Sequence, residues 1–425
     1  MRRPELSACR AITCLVAIAA LWVFTPGPSQ AQFSGLSFGG AASARTASIA
    51  FDNPAGMVMF EQEEYLLGTV VVEKDVRFEG SSTRYFGPRV EGGSSSNAIN
   101  TALNGFYVRP TEGRWTFGFG IFSLPTVRDL QYDRILAQIT KEKFNAFNVG
   151  AAAAYQVSDK FSVGASLHLQ WAEFWCNMQL PELDPATGAF REGIPGFMTT
   201  YGDDYEFGYR IGLLYQFSQD TRLGLSYFSE LEHRLTGYST YTSDTIPDSR
   251  AGGYAIDFPF PPFAMLSAHH DLTDEWGISA TIDYTQWSGY WADVLLENLV
   301  APAPFTQLGG PLDMQDTWGY SFGVEFDPPG DWAFVAQYRD AESQTVDQWR
   351  SIKDYPNGHT ELLLAVRKEI TDTVWVDVGY QFIDGDDAPI GSSTTQFGEI
   401  GLLTWDASAF GLFLTVSPKT KRGEG

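Results

Sequence analysis

Apolar residues recur at every second position through most of this chain, and no other feature restricts its fold so tightly. Between Phe161 and Trp171 the odd positions are Phe161, Val163, Ala165, Leu167, Leu169 and Trp171, and the even ones Ser162, Gly164, Ser166, His168 and Gln170. A period of two sends successive side chains to opposite faces of a β-strand, here one greasy and one small or polar. Trp276, Ile278, Ala280, Ile282 and Tyr284 repeat the pattern against Gly277, Ser279, Thr281 and Asp283, and Trp318 to Phe326 and Val374 to Phe382 repeat it again. The alternation predicts fourteen strands, near 64–79, 100–109, 114–124, 142–157, 160–178, 204–217, 221–238, 260–272, 275–290, 315–327, 332–343, 359–369, 373–384 and 406–417.

The connections between these strands alternate in length. Pro110-Thr111-Glu112-Gly113, Ser158-Asp159, Ser218-Gln219-Asp220, Thr273-Asp274, Asp327 to Asp331 and Ile370 to Asp372 are tight, mostly polar turns. The intervening connections, about 80–99, 125–141, 179–203, 239–259, 291–314, 344–358 and 385–405, are long. A soluble sandwich has no reason to gather its short turns at one end. An outer-membrane barrel has short periplasmic turns, long external loops and an even strand count. Closing the sheet pairs every backbone N–H and C=O inside hydrocarbon without leaving an edge. The greasy face then meets lipid and the other faces the lumen. Trp115, Trp171, Trp276, Trp287, Trp318, Trp332 and Trp375 suit the interfacial girdles of such a barrel. Assigning them to the core of a sandwich leaves the alternating connections unexplained. No apolar run after residue 31 approaches the ~18 residues of a helical span.

The first thirty-one residues read as an export signal. Arg2, Arg3 and Arg10 form a basic start, Ala11 to Phe24 an apolar stretch, and Ser29-Gln30-Ala31 a small-residue cleavage site. The apolar stretch is too short for a spanning anchor, and Cys14 within it lacks lipoprotein spacing. Removing this segment takes away three basic residues and one acidic one, leaving 25 basic against 51 acidic and a net charge of −26. So acidic a chain is a poor nucleic-acid binder. Only Cys176 remains, so no intramolecular disulfide can form.

Gln32 to Glu64 is different: it lacks useful alternation and is rich in small residues, among them Gly35, Gly39, Gly40, Ala41, Ala42, Ser43 and Ala44. Irregular backbone at membrane depth is tolerated only inside protein or a water-filled cavity. The lumen of a fourteen-stranded barrel is wide enough to hold it.

Asp52-Asn53-Pro54-Ala55-Gly56, just before the first strand, resembles the plug motif of the FadL/TodX family, outer-membrane transporters of long-chain fatty acids and other hydrophobic compounds. Asn104 to Pro110 followed by Trp115 to Ile121 is similar to that family's second and third strands. Gly202-Asp203-Asp204 leading to Tyr215-Gln216-Phe217 and Thr221 to Tyr227 resembles it further, as does Thr285-Gln286-Trp287-Ser288. The resemblance implies a fourteen-stranded barrel closed by an N-terminal hatch, capture of an apolar molecule at the outer surface, internal apolar sites, and exit through the wall near a kinked third strand. Asn53, Pro54, Ala55 and Gly56 carry over as hatch and gating residues. Gly118 and Gly120 are the candidates for bending strand three, since strand glycines mark bends, and Pro125 for ending it early. One departure is that family barrels finish on an aromatic residue read by the assembly machinery, whereas Phe410 to Val416 is followed here by Ser417-Pro418 and the polar tail Lys419 to Gly425.

Other groups carry less chemistry. His269 and His270 are adjacent, so on a strand they point to opposite faces and cannot readily chelate one metal. Ser166 and His168 share a face, but no nucleophile signature accompanies them and alternation alone produces such pairs. Leu136 and Ile139 fall in a segment, Arg128 to Phe144, whose spacing of three and four suits a short amphipathic helix at the outer face, gathering ligand or packing over the barrel mouth. Phe258, Phe260 and Phe263, interleaved with Pro259, Pro261 and Pro262, form either a hydrophobic entry site or a rigid junction. The acidic excess, for example Glu182, Asp184, Glu192 and Asp384 to Asp387, reads as a solvated loop face or a site for cations bridging to lipopolysaccharide.

The sequence thus reads as an all-β, transmembrane antiparallel β-barrel of about fourteen strands over 63–417, with a signal at 1–31, a hatch at 32–62 and a tail at 418–425. The expected activity is passive uptake of hydrophobic small molecules, long-chain fatty acids or hydrocarbons, gated by the hatch with lateral exit. The alternative is a structural or adhesive outer-membrane barrel with a static plug. The expected partners are the hydrophobic ligand, outer-membrane lipid and lipopolysaccharide, with the chain acting as a monomer. No enzyme activity, cofactor, metal or nucleic acid is expected. Burial of apolar surface, at about 25 cal/mol per Å², discriminates poorly between a fatty acid, an alkane and an aromatic hydrocarbon.

Overall fold

The computed structural model describes residues 40–42, 44–83, 89–131, 139–184, 186–187, 190–243, 249–290, 293–298, 308–311, 313–346, 350, 352, 358–391 and 399–418. The expected signal at 1–31, Leu136 and the tail from 419 onward lie outside them.

The strands are β1 (Glu64–Thr83), β2 (Arg89–Pro110), β3 (Trp115–Gln131), β4 (Ile139–Ser158), β5 (Phe161–Leu183) and β6 (Phe190–Gln216). They continue with β7 (Thr221–Phe228), β8 (Leu231–Thr242), β9 (Ser249–Phe260), β10 (Phe263–Asp271), β11 (Trp276–Thr285), β12 (Asp293–Glu297) and β13 (Leu308–Pro311). The last are β14 (Thr317–Phe326), β15 (Trp332–Ala341), β16 (His359–Thr371), β17 (Val374–Gly385), β18 (Ala388–Ile390) and β19 (Ile400–Val416). Segments β8, β10, β12, β14 and β18 each continue the one before after a break, so the nineteen segments form fourteen staves. All neighbours run antiparallel, and β1 pairs with both β2 and β19, from Tyr65 opposite Val416 to Ser81 opposite Ile400. That pairing closes the barrel and removes its edges.

The tight turns join β2 to β3, β4 to β5, β6 to β7, β10 to β11, β14 to β15 and β16 to β17 at one end, where β1 begins and β19 finishes. Burial is inverted relative to a soluble protein. On β5 and β6 the outward Leu167 and Phe207 are 68% and 73% exposed, while the inward Ser166, His168 and Gln170 are buried. Exposed Trp115, Trp276, Trp318 and Trp332 lie on the same outward surface. An apolar exterior over a polar interior is what a ~25 Å hydrocarbon band demands.

The strands are longer than their alternation predicts. β2 begins at Arg89 and β6 at Phe190, so much of the predicted loops 80–99 and 179–203 continues the sheet. Above the hydrocarbon both faces meet polar surroundings, so a strand there needs no greasy side and its period fades. The helix expected within Arg128 to Phe144 is corrected at both ends of that segment, residues 132–138 lying outside the described ones. Arg128–Gln131 and Lys141–Phe144 pair across β3 and β4, with Arg128 opposite Phe144. Cross-strand hydrogen bonding there overrides the local spacing.

The apolar core lies inside the lumen, where Phe51 and Met57 of the N-terminal segment pack with Phe106, Phe122, Phe144 and Phe174 of the wall.

Candidate functional site

The N-terminal segment enters the lumen as two short turns. Ile49–Asp52 forms one turn of α-helix, and Pro54–Met59 a 3-10 helix capped by Asn53. The Asn53 Oδ1 accepts from Ala55 N at 3.2 Å, and Pro54 occupies the first helical position, where its missing N–H costs nothing. The Asn53 Nδ2 donates to Ala41 O at 2.6 Å and to Leu213 O of β6 at 3.0 Å. The Ser162 hydroxyl of β5 donates to Ala55 O at 3.0 Å. A Cβ on Gly56 would lie 2.6 Å from Ile49 Cγ1, so only glycine lets the two turns fold together. The four motif residues are therefore a cap, a helix start, a wall contact and a close approach, all buried.

Polar tethers hold the rest of the segment. Arg222 Nε donates to Ala42 O at 2.6 Å, and Arg45 pairs with Glu325 at 2.7 Å and with Asp327. Ala47 N donates to Glu64 Oε1 at 2.8 Å.

The wall makes room with inward glycines. Added Cβ atoms on Gly164, Gly212 and Gly224 would collide with Pro54-Ala55, Asn53 and Ala41 respectively. Gly118 and Gly120 belong to the same seat: their Cβ atoms would come 2.6 Å from Met57 Sδ and 2.5 Å from the Phe51 ring. Both sit in unbroken register with β2 and β4, opposite Val108 and Ala152 and opposite Phe106 and Gly150. The irregularity of β3 lies higher, where its register with β4 shifts between Leu124 and Arg128, the stretch that contains Pro125.

That stretch coincides with an interruption of the wall. The β2–β3 ladder has seven pairs, from Pro110 opposite Thr116 to Asn104 opposite Phe122, and stops there although both strands continue. At its end the Ser123 hydroxyl accepts from Leu103 N at 2.8 Å and donates to Leu103 O at 3.2 Å. A side chain thus satisfies groups that a strand otherwise would.

Beside the plug lies a cavity lined by Phe122, His168, Arg210, Phe228, Leu231 and Phe260, with Trp287 and Phe263 at its border. Its volume is about 60 Å³. Arg210 dominates its chemistry. It is 8% exposed and its side chain donates no hydrogen bond and forms no ion pair among the described residues, its Nε being buried and bare. Three phenyl rings surround it, Phe228 at 4.5 Å, Phe122 at 5.4 Å and Phe51 at 5.6 Å from the guanidinium carbon. The buried Asp52 carboxylate also acts on it electrostatically, but no ion pair is formed, and a buried cation compensated by rings and one more distant carboxylate is suited to an anion.

The aromatic candidates are brought together. Phe258 and Phe260 end β9 and Phe263 begins β10, all facing inward and buried. Phe258 stacks on Phe144 at 4.4 Å, Phe260 lies 5.6 Å from His233, and Phe263 lies 5.0 Å from Phe228. Ile139 opens β4 opposite Met178, on a different part of the wall. Sequence reasoning missed Arg210 and the seat glycines. Their signal is present in Gly208-Tyr209-Arg210-Ile211-Gly212, an inward charge between inward glycines.

His269 and His270 do face opposite ways. His269 is buried against Asp271 at 2.9 Å, and His270 contacts the Thr221 hydroxyl at 2.8 Å. No cluster able to hold a metal ion occurs among the described residues. Ser166 and His168 share the inward face, and His168 lines the cavity.

Comparison with known proteins agrees with this architecture. Outer membrane protein P1 of Haemophilus influenzae strain Rd is 26% identical over 288 residues, 59% of this chain and 62% of that protein, so the chain spans about three fifths of the length of that relative. The long-chain fatty acid transport protein of Escherichia coli K12 is 23% identical over 94% of this chain and 97% of its own. Among solved structures, a Pseudomonas aeruginosa FadL homologue superimposes with a TM-score of 0.78 at 18% identity, covering 94% of this chain and all of that one. The Ralstonia pickettii toluene transporter TbuX gives 0.65 at 20% identity, over 92% of this chain and 98% of its own. At these identities the structural likeness shows the fold alone. The sequence profile described as outer membrane protein transport protein (OMPP1/FadL/TodX) matches residues 28–420, and on that match the chain belongs to the OMPP1/FadL/TodX family of outer-membrane transport proteins.

Proposed function

We propose that this barrel admits amphipathic hydrophobic molecules passively, binding an apolar body against the lumen phenylalanines and an anionic head at Arg210. The single observation that carries this reading is a buried guanidinium in no hydrogen bond or ion pair among the described residues, with the Asp52 carboxylate acting on it only electrostatically, beside a cavity walled by Phe122, Phe228 and Phe260. A carboxylate there would supply the compensating charge-assisted hydrogen bonds while its chain left water. Relatives named for long-chain fatty acid transport support an acid as the ligand, and a neighbour named for toluene supports a neutral one. Arg210 favours the acid. Displacement of the hatch would open the lumen below, and the interrupted β2–β3 ladder would let the ligand leave sideways into the bilayer.

The test is uptake of labelled oleate and toluene by cells with and without the chain. Arg210→Gln is expected to weaken oleate binding about ten- to hundredfold, from ~1.5–3 kcal/mol for a hydrogen bond to a charged group, and to leave toluene uptake unchanged. Equal entry of both compounds with and without the chain overturns the transporter reading. The static-plug reading draws on the tethers at Arg45, Arg222 and Asn53, and predicts that equal entry.

A further inference from the structure

The wall is interrupted a second time, away from β3. β6 pairs with β7 through Arg210–Gln216 against Arg222–Phe228, and with β8 through Phe197–Asp203 against Thr236–Thr242. Between these ladders, residues 204–209 and 229–235 have no strand pairing with one another. Their exposed N–H groups are capped by side chains instead. Phe207 N donates to Glu206 Oε1, Tyr209 N to Ser229 Oγ and Arg234 N to Asp204 Oδ2, each at 3.0 Å. The Ser229 N donates to Tyr209 O at 3.0 Å and closes the lower corner. On the far side of this stave, β9 and β10 part at Pro261-Pro262, which have no N–H to offer.

The height of this gap is informative. Residues 209 to 204 lie seven to twelve positions above Gln216, where β6 ends. With a ~3.3 Å rise and a tilt of about 40°, that places them roughly 18–30 Å above the short-turn end, in the outer part of a ~25 Å apolar band and at its rim. The lower ladder has seven pairs, the same number as the β2–β3 ladder, so both interruptions open at one level.

What stands before and behind the gap is also specific. Outside, Tyr205, Phe207 and Tyr209 are 62%, 73% and 42% exposed. Inside, a Cβ on Gly208 would lie 2.6 Å from His168 Cε1 and 2.8 Å from Leu231 Cδ2, both cavity-lining residues. Ser229 lines the same cavity, and so does Phe122, the last residue of β3 paired with β2. One cavity therefore touches both interruptions.

We propose that the gap between β6 and the β7–β8 stave is a second lateral portal, through which the apolar tail of an amphipathic ligand passes between the outer half of the bilayer and the cavity beside Arg210. This rests on the ligand reading above. The tail slides past Tyr205 and Phe207 without crossing water, and the capped lips need no strand to be peeled away.

The test labels the portal after the barrel has folded. Phe207→Cys is modified with a sulfonate-bearing methanethiosulfonate, with Phe322→Cys, an outward ring on β14, as control. Cys176 is buried and out of reach of the reagent. Dibromostearate is delivered from vesicles to the reconstituted barrel, and its arrival is read as the saturable tryptophan quenching lost in Trp287→Phe. Modification at 207 is expected to slow the approach to saturation at least fivefold, with the same end point, and modification at 322 to leave it unchanged. Saturable quenching at an unaltered rate after modification at 207 overturns the portal and leaves the ligand reading standing. Absence of saturable quenching in the unmodified barrel overturns both.

Discussion

At the scale of single residues, the plug depends on Asn53 more than on any apolar contact. Its side chain caps the 3-10 helix, ties it back to Ala41 and bonds the β6 backbone at Leu213, so one amide joins three pieces of chain. Asn53→Ala leaves two carbonyls and one N–H without that partner, at about 1–3 kcal/mol for buried groups. Amide exchange over Ile49 to Met59 should then accelerate roughly ten- to hundredfold, while the barrel amides keep their protection. Unchanged exchange in the variant would show that Asn53 is no tether. Arg210 is the opposite kind of residue, a buried charge in no hydrogen bond or ion pair among the described residues, with Asp52 acting on it only electrostatically. By contrast Arg339, also in the lumen, forms an ion pair with Asp283 through two hydrogen bonds at 2.5 and 3.0 Å.

At the scale of elements, the wall is a continuous sheet only in its lower part. Two ladders stop after seven pairs, and in both the exposed backbone is met by serine hydroxyls, Ser123 at β3 and Ser229 beside β6. Pro125 sits in the shifted stretch of β3 and offers no N–H to either neighbour. Pro125→Ala restores a donor and is expected to let β3 pair higher, narrowing the opening toward β2. Uptake of oleate should fall severalfold while the barrel keeps its heat-modifiable migration on gels. Uptake at the original rate would separate the irregularity of β3 from passage. The neighbouring glycines do other work, since Gly118 and Gly120 give Met57 and Phe51 room to enter.

At the scale of the whole molecule, the barrel closes through β1 and β19, and the glycines that seat the plug lie on inward faces. Deleting Gln32 to Phe60 should therefore leave a folded barrel and raise its conductance in planar bilayers, and a closed pore after deletion would deny the segment a plugging role. The sequence alone determined the staves, their number, the side of the short turns and most of the lipid face, though Trp287, expected in the girdle, is buried at the lumen cavity. All of these follow from a period-two pattern imposed locally by hydrocarbon on one face. It also singled out Asn53 to Gly56 through a family resemblance, and the structure buries those four residues against the inner wall. Strand extensions beyond the membrane were not legible, because polar surroundings on both faces erase the period. Neither were the partner of Asn53 at Leu213, the seat glycines at 164, 212 and 224, or the aromatic surroundings of Arg210. Those depend on which residues, over a hundred positions apart, meet across the lumen. Only closure of the sheet, which sets register around the whole ring, decides that.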